Sequence, residues 1–362
     1  MKKLKIGIIG TGGIARAHAK AYLKMEDVDL VAGADIVEGR AREFFDKLEL
    51  PKAKAFNSAK EMLESVKLDA VSVCTYNTAH AVCAIEALKA GCHVLLEKPM
   101  TVTLDDARAI VKAEKKAKKI LTIGFQPRYD SRMKKIREIV QSGALGKVYY
   151  IQTGGGRRRG IPSRTFIEKK YAGVGALADI GCYSLDMALN TIGYPKPLTV
   201  SAVAYDHFGK NPKYTPPVDA ARFSVDDFCG AFIRLEGGIT LDFRMSWAMH
   251  MDTTGSTIFL GTDAGLKVEP TFNSNPLWGG AWDGSCGNVT LFHDVVGVPA
   301  HTPIPMQDLK EDCFYLKCRS FVDAIAKGLP APIPSSEIIY NQAIIDGIIR
   351  SCECGREVEI DV

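Results

Sequence analysis

The stretch Gly10-Thr11-Gly12-Gly13-Ile14-Ala15 decides the fold, because it follows the apolar run Leu4–Ile9 and precedes a helical pattern. A strand, a glycine turn and a helix in this order form the dinucleotide-binding pattern G-x-G-x-x-A. Gly10 permits the tight turn, Gly12 lets the main chain approach a pyrophosphate, and Ala15 lets the helix pack closely on the strand. The helix N–H groups and dipole would then receive the phosphates. The pattern predicts a dinucleotide site here.

The choice of dinucleotide depends on Asp35, which ends the next apolar run twenty residues beyond Ala15. A carboxylate at this spacing accepts both hydroxyls of a ribose, and its charge repels a 2′-phosphate. We therefore predict NAD as the cofactor. Arg40 and Arg42 follow closely in sequence and keep NADP possible. The other residues of the turn that we expect at the cofactor are Thr11, Gly13 and Ile14.

Length and composition indicate a two-domain globular protein. A chain of 362 residues is too long for one simple core, and we place the domain boundary between 1–125 and 126–362. A charged fraction of 24% and a net charge of +4 give no reason to expect nucleic acid or a membrane surface as a partner. The ten cysteines show neither C-x-x-C nor zinc spacing, which predicts no metal site and a reducing, cytoplasmic setting.

The order of the predicted elements changes along the chain. The first 125 residues alternate apolar strands with helices, as in a parallel sheet covered on both faces. Beyond a helix near 129–141, strand-like runs follow one another and predict a large, mainly antiparallel sheet, interrupted by one helix at about 175–192. Whether two last helices, at 313–327 and 335–352, return to the first domain stays open. The predicted strands of the first domain are 4–9, 29–35, 53–56, 69–74, 92–96 and 120–124.

Polar residues with catalytic potential cluster at two places in this pattern. Glu97-Lys98-Pro99 follows the fifth strand and Thr75–His80 follows the fourth, at the sheet edge where ligands bind in doubly wound folds. If 175–192 is helical, Asp179, Tyr183 and Asp186 fall at i, i+4 and i+7 and share one face. A buried hydrogen-bonded network is the alternative explanation for those three groups.

Taken together, these motifs resemble the glucose–fructose oxidoreductase, inositol dehydrogenase and MocA (Gfo/Idh/MocA) family. The resemblance rests on the fingerprint, Glu97-Lys98-Pro99, the Asn77 and His80 pair, and the D-x-G-x-[HY]-x-x-D run at 179–186. It spans nearly the whole chain. It implies a Rossmann domain followed by an open-faced, mainly antiparallel substrate-binding sheet domain with helices on one face, which assembles into a homodimer or homotetramer.

The resemblance also implies catalytic roles. Lys98 matches the family's catalytic lysine, Asp179 its aspartate, and Tyr183 stands where many members carry histidine. Alcohol oxidation needs a base for the hydroxyl proton, and an unperturbed tyrosine titrates near ~10 rather than ~6.5. We therefore expect Lys98 to lower the pKa of Tyr183, which then acts as proton donor and acceptor. The rival hypothesis is that Lys98 moves the proton alone and Tyr183 only orients the substrate.

Further residues are carried over from the family more loosely. Glu97 is expected at the nicotinamide ribose, and His80 is either a cofactor residue or a polar residue at a helix start. Arg157 and Asp186 are expected at the substrate. The Arg157-Arg158-Arg159 run is either a solvated basic loop or a fork for hydroxyls, carboxylate or phosphate, with 157 and 159 pointing together if the strand continues. The remaining residues expected to line the cofactor are Thr75, Asn77, Lys98 and Gln126.

The function that follows is NAD(P)-dependent hydride transfer at a carbinol or carbonyl carbon of a sugar, cyclitol or sugar derivative. One alternative is a glycoside hydrolase that oxidises C3 transiently while retaining NAD. Another is a non-catalytic, ligand-sensing regulator on the same scaffold, which would not need the Lys98, Asp179 and Tyr183 set. The sequence alone leaves the substrate and the direction of the reaction open.

Overall fold

The chain folds into two compact units, of which one is discontinuous in sequence. The computed structural model describes residues 3–252, 254–270, 287–306 and 312–362. The first unit comprises Met1–Gln126 together with Asp312–Ile339, and the second comprises Pro127–Glu311 together with Tyr340–Val362. Trp278 and Trp282 lie outside the described residues.

The first unit contains the predicted parallel sheet, with each strand end shifted by one residue at most. Its six strands lie in the order β3-β2-β1-β4-β5-β6, the order of a dinucleotide-binding Rossmann sheet. The strands are β1 (Leu4–Ile9), β2 (Val28–Ala34), β3 (Lys54–Phe56), β4 (Ala70–Val73), β5 (His93–Leu96) and β6 (Leu121–Ile123). The helices are α1 (Gly13–Leu23), α2 (Arg40–Asp46), α3 (Ala59–Ser65), α4 (His80–Lys89), α5 (Leu104–Ala117) and α10 (Cys313–Lys327).

The core of this unit explains why a helix from residues 313–327 belongs to it. α10 packs against α1, and Phe321 and Val322 are fully buried with Tyr22 in one apolar cluster. Burying a large apolar side chain contributes roughly 1.5–3 kcal/mol, so α10 covers surface that the sheet and α1 would otherwise expose. A strand such as β4, buried along its whole length, requires cover of this kind on both faces.

The second unit contains the predicted, mainly antiparallel sheet. Its nine strands lie in the order β14-β13-β12-β11-β7-β10-β9-β8-β15, and the one parallel pair in this order is β7 with β10. Two of these strands, β14 and β15, were not predicted. The strands are β7 (Val148–Gly156), β8 (Pro197–Tyr205), β9 (Phe228–Leu235), β10 (Ile239–Ser246), β11 (Thr257–Gly261), β12 (Ala264–Val268), β13 (Val289–Val295), β14 (Val298–Ile304) and β15 (Val358–Glu359).

The helix predicted at about 175–192 consists of two parts. A π-helical turn, Leu177–Gly181, runs directly into an α-helix that ends before Gly193. π-Turns of this kind occur frequently at functional sites, because the extra residue per turn redirects side chains. The α-helices of this part of the chain are α6 (Ser131–Gln141), α7 (Lys169–Ala172), α8 (Cys182–Ile192), α9 (Pro217–Arg222) and α11 (Ser335–Cys354), with the division between the units falling inside α11. Across the described ranges, no helix is both long and apolar enough to cross a bilayer.

Candidate functional site

The fingerprint turn of the first unit has the geometry of a pyrophosphate cradle. Gly10 has a φ of +84°, and a Cβ there would lie 2.7 Å from the Cys74 carbonyl oxygen, so only glycine fits. A Cβ on Gly12 or Gly13 would meet nothing within 4 Å, which leaves the main chain open to a ligand. No side chain caps α1 at Gly12. The first N–H groups of the helix are therefore the natural donors for phosphate oxygens.

Asp35 lies beside this turn and is hydrogen-bonded to it. Its carboxylate accepts hydrogen bonds from the Thr11 backbone N–H at 2.9 Å and the Thr11 hydroxyl at 3.0 Å, and the Val37 N–H donates to its other oxygen at 3.0 Å. Arg40 lies 3.6 Å from the same carboxylate. Arg42 instead donates to Asp46 and to two backbone carbonyls. Of the two arginines that kept NADP possible, only Arg40 is therefore placed at Asp35.

The loop after β4 contains a polar atom that a ligand would satisfy. The Thr75 hydroxyl is buried and has no hydrogen-bond partner among the described residues. A buried hydroxyl without a partner costs about 1–3 kcal/mol, so such a group at the ligand edge of a Rossmann sheet fits a polar group of a bound dinucleotide. Asn77 begins the turn Asn77–Ala79 in the same loop.

His80 is fully buried at the start of α4 and joins two loops. Its Nδ1 lies 2.7 Å from the Pro99 carbonyl oxygen and its Nε2 lies 3.3 Å from the Thr75 carbonyl oxygen. Burial lowers the pKa of the His80 ring below its usual value. These contacts connect the Thr75 loop to the loop after Lys98. A cofactor contact for His80 stays a prediction, as does one for Gln126, which begins a short helical turn after β6.

Glu97 directly follows β5. Its two side-chain partners, Lys317 and His18, lie in the first unit but outside the Glu97-Lys98-Pro99 motif. Its Oε1 accepts hydrogen bonds from the Lys317 ammonium and from His18 Nε2, the latter at 2.7 Å, while its Oε2 accepts the Lys98 backbone N–H at 3.3 Å. Burial by itself would raise the pKa of Glu97, but Lys317 and His18 together hold it well below its usual range. The predicted contact of Glu97 with a ribose stays a prediction beside these observed partners.

The buried network extends from Glu97 into α1 and β4. His18 Nδ1 lies 3.1 Å from the Ser72 hydroxyl, which lies 2.7 Å from the Tyr22 hydroxyl. Burial lowers the pKa of His18, and Lys317 lowers it further. A neutral His18 that donates from Nε2 to the carboxylate accepts at Nδ1 from Ser72, which in turn accepts from Tyr22. We call the five side chains the Glu97 network: Tyr22, Ser72, His18, Glu97 and Lys317.

Sequence reasoning missed His18 and Lys317, although a signal for each existed. Lys317 occupies a core position of α10, three residues before Ser320 and four before the buried Phe321, and it is 1% exposed. A lysine on the apolar stripe of a helix is almost never fully buried unless it is paired. His18 lies on the buried face of the fingerprint helix in the same way. Each position required a partner that helical periodicity alone does not identify.

The residues predicted for proton transfer are divided between the two units. Lys98 follows β5 in the first unit, whereas Asp179 and Tyr183 lie in the second. Asp179 belongs to the π-helical turn. Tyr183 is the second residue of α8 and is 8% exposed. The Asp179 carboxylate accepts a hydrogen bond from the indole N–H of Trp247 at 3.1 Å.

Asp186, also in α8, is bound by Arg128, whose side chain is only partly exposed. Arg128 donates to both of its oxygens, at 2.9 Å and 2.8 Å, and the Tyr194 hydroxyl donates to one of them. The guanidinium also lies 5.2 Å from the centre of the Tyr194 ring. This bidentate pair is 4% exposed at the aspartate side chain and 11% at the arginine. Both acceptor atoms of Asp186 are therefore engaged, and a substrate role for Asp186 stays a prediction.

The three arginines after β7, Arg157, Arg158 and Arg159, do not continue the strand. β7 ends at Gly156, so the alternation that would have pointed Arg157 and Arg159 together does not reach them. Arg157 donates to the Gly160 carbonyl at 3.1 Å and stays a predicted substrate residue. Arg159 donates to the Met249 carbonyl at 2.8 Å and stacks on the rings of Phe208 and Tyr214. In the described part of the chain, no group of His, Cys, Asp and Glu is suited to hold a metal ion.

Two parts of the chain match models of known protein families. Residues 4–125 match the model of an oxidoreductase family with an NAD-binding Rossmann fold, and residues 133–267 match the GFO/IDH/MocA C-terminal domain. The D-glucoside 3-dehydrogenase of Escherichia coli is 33% identical over 99% of this chain and 97% of its own length. The myo-inositol 2-dehydrogenase of Thermotoga maritima is 36% identical over 41% of this chain and 44% of its own length.

Solved structures show the same fold. The complex of levoglucosan dehydrogenase with NADH has a TM-score of 0.82 at 20% identity, covering 99% of this chain and all of that one. The fingerprint cradle, Asp35 and the Thr75 hydroxyl, which no described residue hydrogen-bonds, are consistent with the NAD-binding assignment of the first domain. The chain therefore belongs to the Gfo/Idh/MocA family of oxidoreductases, with an NAD-binding Rossmann domain as its first domain.

Proposed function

We propose that this protein is an NAD-dependent dehydrogenase or reductase of the hydroxyl carbons of sugars, with D-glucosides as the first substrate class and cyclitols as the second. The observation that carries the proposal is the placement of Lys98 directly after β5, at the sheet edge where the fingerprint turn leaves β1. The end-to-end similarity to a D-glucoside 3-dehydrogenase supports the substrate class. NAD, when bound, accepts a hydride from the carbinol carbon or returns one to the carbonyl.

The chain's own residues handle the proton in this proposal. Tyr183 takes the hydroxyl proton during oxidation and returns it during reduction, and Lys98 stabilises the charge that develops on the oxygen. Asp179 orients these groups. Thr11, Gly12 and the first N–H groups of α1 bind the pyrophosphate, while Asp35 binds a ribose. The Thr75 hydroxyl, buried without a described partner, donates to or accepts from the dinucleotide.

The substrate class is tested by incubating the purified protein with NAD and a panel that includes a methyl D-glucoside, myo-inositol and D-xylose. NADH absorbance and the products are both followed. Net NADH formation with a carbonyl product supports the proposal. Release of reducing sugar without net NADH would instead identify a hydrolase, and tight NAD binding without any turnover would identify a sensor.

The proton role is tested with Tyr183→Phe, which keeps the ring and removes the hydroxyl. We expect kcat to fall about 100-fold or more, because a positioned acid or base contributes at least that much. The pH–rate profile should lose one limb. Tyr149→Phe is the matched control, since Tyr149 lies exposed near the start of β7 and should keep wild-type turnover. Unchanged turnover of Tyr183→Phe would leave Lys98 as the group that moves the proton.

The preference for NAD is tested with Asp35→Ser. Loss of hydrogen bonds to a carboxylate should lower kcat/KM for NAD by about tenfold or more. NADP should gain relative to NAD, because a 2′-phosphate no longer meets a carboxylate and Arg40 remains nearby. A wild-type preference for NADP would overturn the NAD assignment.

Assembly and location complete the proposal. Val203, Tyr205 and Phe232 are each more than two-fifths exposed on β8 and β9. An apolar surface on an open sheet suits an interface with a second copy, and we propose a homodimer or homotetramer. Light scattering during gel filtration tests it, with Phe232→Arg expected to shift the mass toward a single chain. The cysteines of the described chain form no disulfide bond, which suits a reducing cytoplasm.

A further inference from the structure

The π-helical turn that carries Asp179 is attached at its start to the chain segment before β9. The Asp226 carboxylate accepts the N–H groups of Gly175 at 2.6 Å and Leu177 at 2.9 Å, and the Asp226 carbonyl accepts the Ala176 N–H at 3.1 Å. These groups are the donors that a helix leaves unsatisfied at its N-terminus. Asp226 therefore determines where the turn begins.

Two glycines allow the turn to lie directly against its neighbours. A Cβ on Gly175 would come within 1.9 Å of the Asp226 carbonyl oxygen, and a Cβ on Gly181 within 2.9 Å of the Phe243 ring. Phe243 is a fully buried residue of β10. The turn is thus in close contact with Asp226 just before its start and with Phe243 of the sheet at its end, and small displacements of Asp179 meet steric resistance.

Trp247 approaches Asp179 from the end of β10. Its side chain is 0% exposed, and its backbone N–H donates to the Asp227 carbonyl at 2.8 Å. The indole N–H then donates to Asp179 Oδ2 at 3.1 Å. Main chain and ring are both fixed, so the direction of the indole N–H is fixed as well.

Tryptophan is chemically suited to hold a carboxylate without sharing its proton chemistry. The indole nitrogen is a donor only and does not ionise in the physiological range. A hydrogen bond to a carboxylate is roughly twice as strong as one between neutral groups. A lysine or histidine here would add a charge or a second base. Trp247 orients the carboxylate without adding either.

We propose that Trp247 is a positioning residue for the reaction, which acts by fixing the orientation of the Asp179 carboxylate through its indole N–H. The inference rests on the proposed function, in which Asp179 belongs to the catalytic set. It predicts that removal of one N–H group, with the shape of the ring retained, slows the chemical step.

The decisive variant replaces Trp247 with benzothienylalanine by amber-codon suppression, because sulfur takes the place of the N–H in a ring of the same shape. With methyl D-glucoside and NAD, we expect kcat to fall about tenfold and KM to stay within about twofold. The kinetic isotope effect on kcat, measured with substrate deuterated at the oxidised carbon, should rise. Trp247→Phe should show the same direction of change.

Two controls separate positioning from general stability. Phe259→Leu makes a cavity at a fully buried ring of β11 and should lower the unfolding midpoint without raising the isotope effect. In an Asp179→Asn background, the benzothienyl replacement should cost little further kcat, because the interaction it removes is already weakened. Full additivity of the two changes would contradict the inference.

Failure of the inference and failure of the proposed function give different results. If the wild-type protein turns over no polyol of the panel, or if Asp179→Ala keeps wild-type kcat, the proposed function or the role of Asp179 is wrong. If Asp179→Ala is slow while the benzothienyl variant has wild-type kcat and isotope effect, the role of Trp247 is wrong.

Discussion

Glu97 in the first unit and Asp186 in the second are both buried carboxylates that the motifs singled out, and they are held in different ways. Glu97 receives a lysine and a histidine on a single oxygen, and its other oxygen accepts the N–H of Lys98. Asp186 receives a bidentate arginine that occupies both oxygens, together with a tyrosine hydroxyl. Glu97 thus keeps a direct bond to the residue predicted to be catalytic, whereas Asp186 is engaged by its partners.

The difference follows from the shape of the two cations. An ammonium is a compact charge that can share one oxygen with a second donor, whereas a guanidinium is a planar fork that matches both oxygens of a carboxylate. The lysine arrangement leaves Glu97 one oxygen for the Lys98 backbone. The comparison indicates that burial and charge pairing alone do not show whether a carboxylate still has an atom available for the site.

The largest expected effect comes from Lys317→Met. It leaves Glu97 buried without its cation, and breaking such a pair costs about 3–5 kcal/mol of unfolding free energy. Burial without the cation then raises the pKa of Glu97, so the folded variant takes up a proton that the unfolded chain does not. The free energy of unfolding of this variant should therefore rise as the pH falls from 8 to 5, whereas Glu97 makes no such contribution in the wild-type protein. Urea unfolding at several pH values measures both effects.

The matched control is the double variant Glu97→Gln/Lys317→Met, which removes both charges. Because a neutral pair carries no uncompensated charge, it should recover most of the lost stability and show none of the added pH dependence. Equal stability of the single and double variants would mean that the ammonium is not the partner that keeps Glu97 ionised.

Asp186→Asn tests the other side of the comparison and should have a smaller effect. The amide keeps one acceptor for Arg128 but loses the charge, and we expect a loss of about 2–3 kcal/mol in urea unfolding. Arg128→Gln combined with Asp186→Asn should recover part of it. If the double variant regains stability yet shows a raised KM for methyl D-glucoside, Asp186 also contacts substrate; a wild-type KM would make it a structural residue.

The smallest effect concerns Asp227, a buried carboxylate that forms no ion pair with any described residue. Its Oδ2 accepts the N–H groups of Phe208 and Gly209, and burial raises its pKa to about 6. An unfolded aspartate titrates near ~3.9, so between these values the folded state holds more protons and the free energy of unfolding falls as the pH rises.

We therefore expect the unfolding free energy of the wild-type protein, relative to that of Asp227→Asn, to fall by about 1–2 kcal/mol from pH 4.5 to 7.5. The subtraction removes the contributions of buried histidines such as His18 and His80, which have the opposite sign. Parallel pH curves for the two proteins would contradict the assignment of this titration to Asp227.

The sequence contained enough to predict the fold, because the fold follows from local pattern. Most strands of the first sheet are apolar runs between glycines and helical segments, and the ends of all six are confirmed within one residue. β14 was missed because its residues are mostly exposed and two of them are prolines, so it shows no apolar alternation.

The site was predictable only where one motif holds all the partners. Gly10, Thr11 and Asp35 are brought together by β1 and β2, which the fingerprint itself predicts. The partner of Glu97 lies 220 residues away in α10, and that of Asp179 lies 68 residues away after β10. Such pairings depend on tertiary packing, and no spacing rule in the chain encodes them.

The discontinuity of the first unit has a consequence for how the protein is made. Residues 1–126 leave the ribosome long before α10, so a nascent Rossmann sheet contains Glu97 but lacks the ammonium of Lys317. Until Lys317 has been translated, 220 residues after Glu97, the acid at the end of β5 has either to stay hydrated or to take up a proton. The dinucleotide domain is therefore electrostatically complete only once α10 has been made.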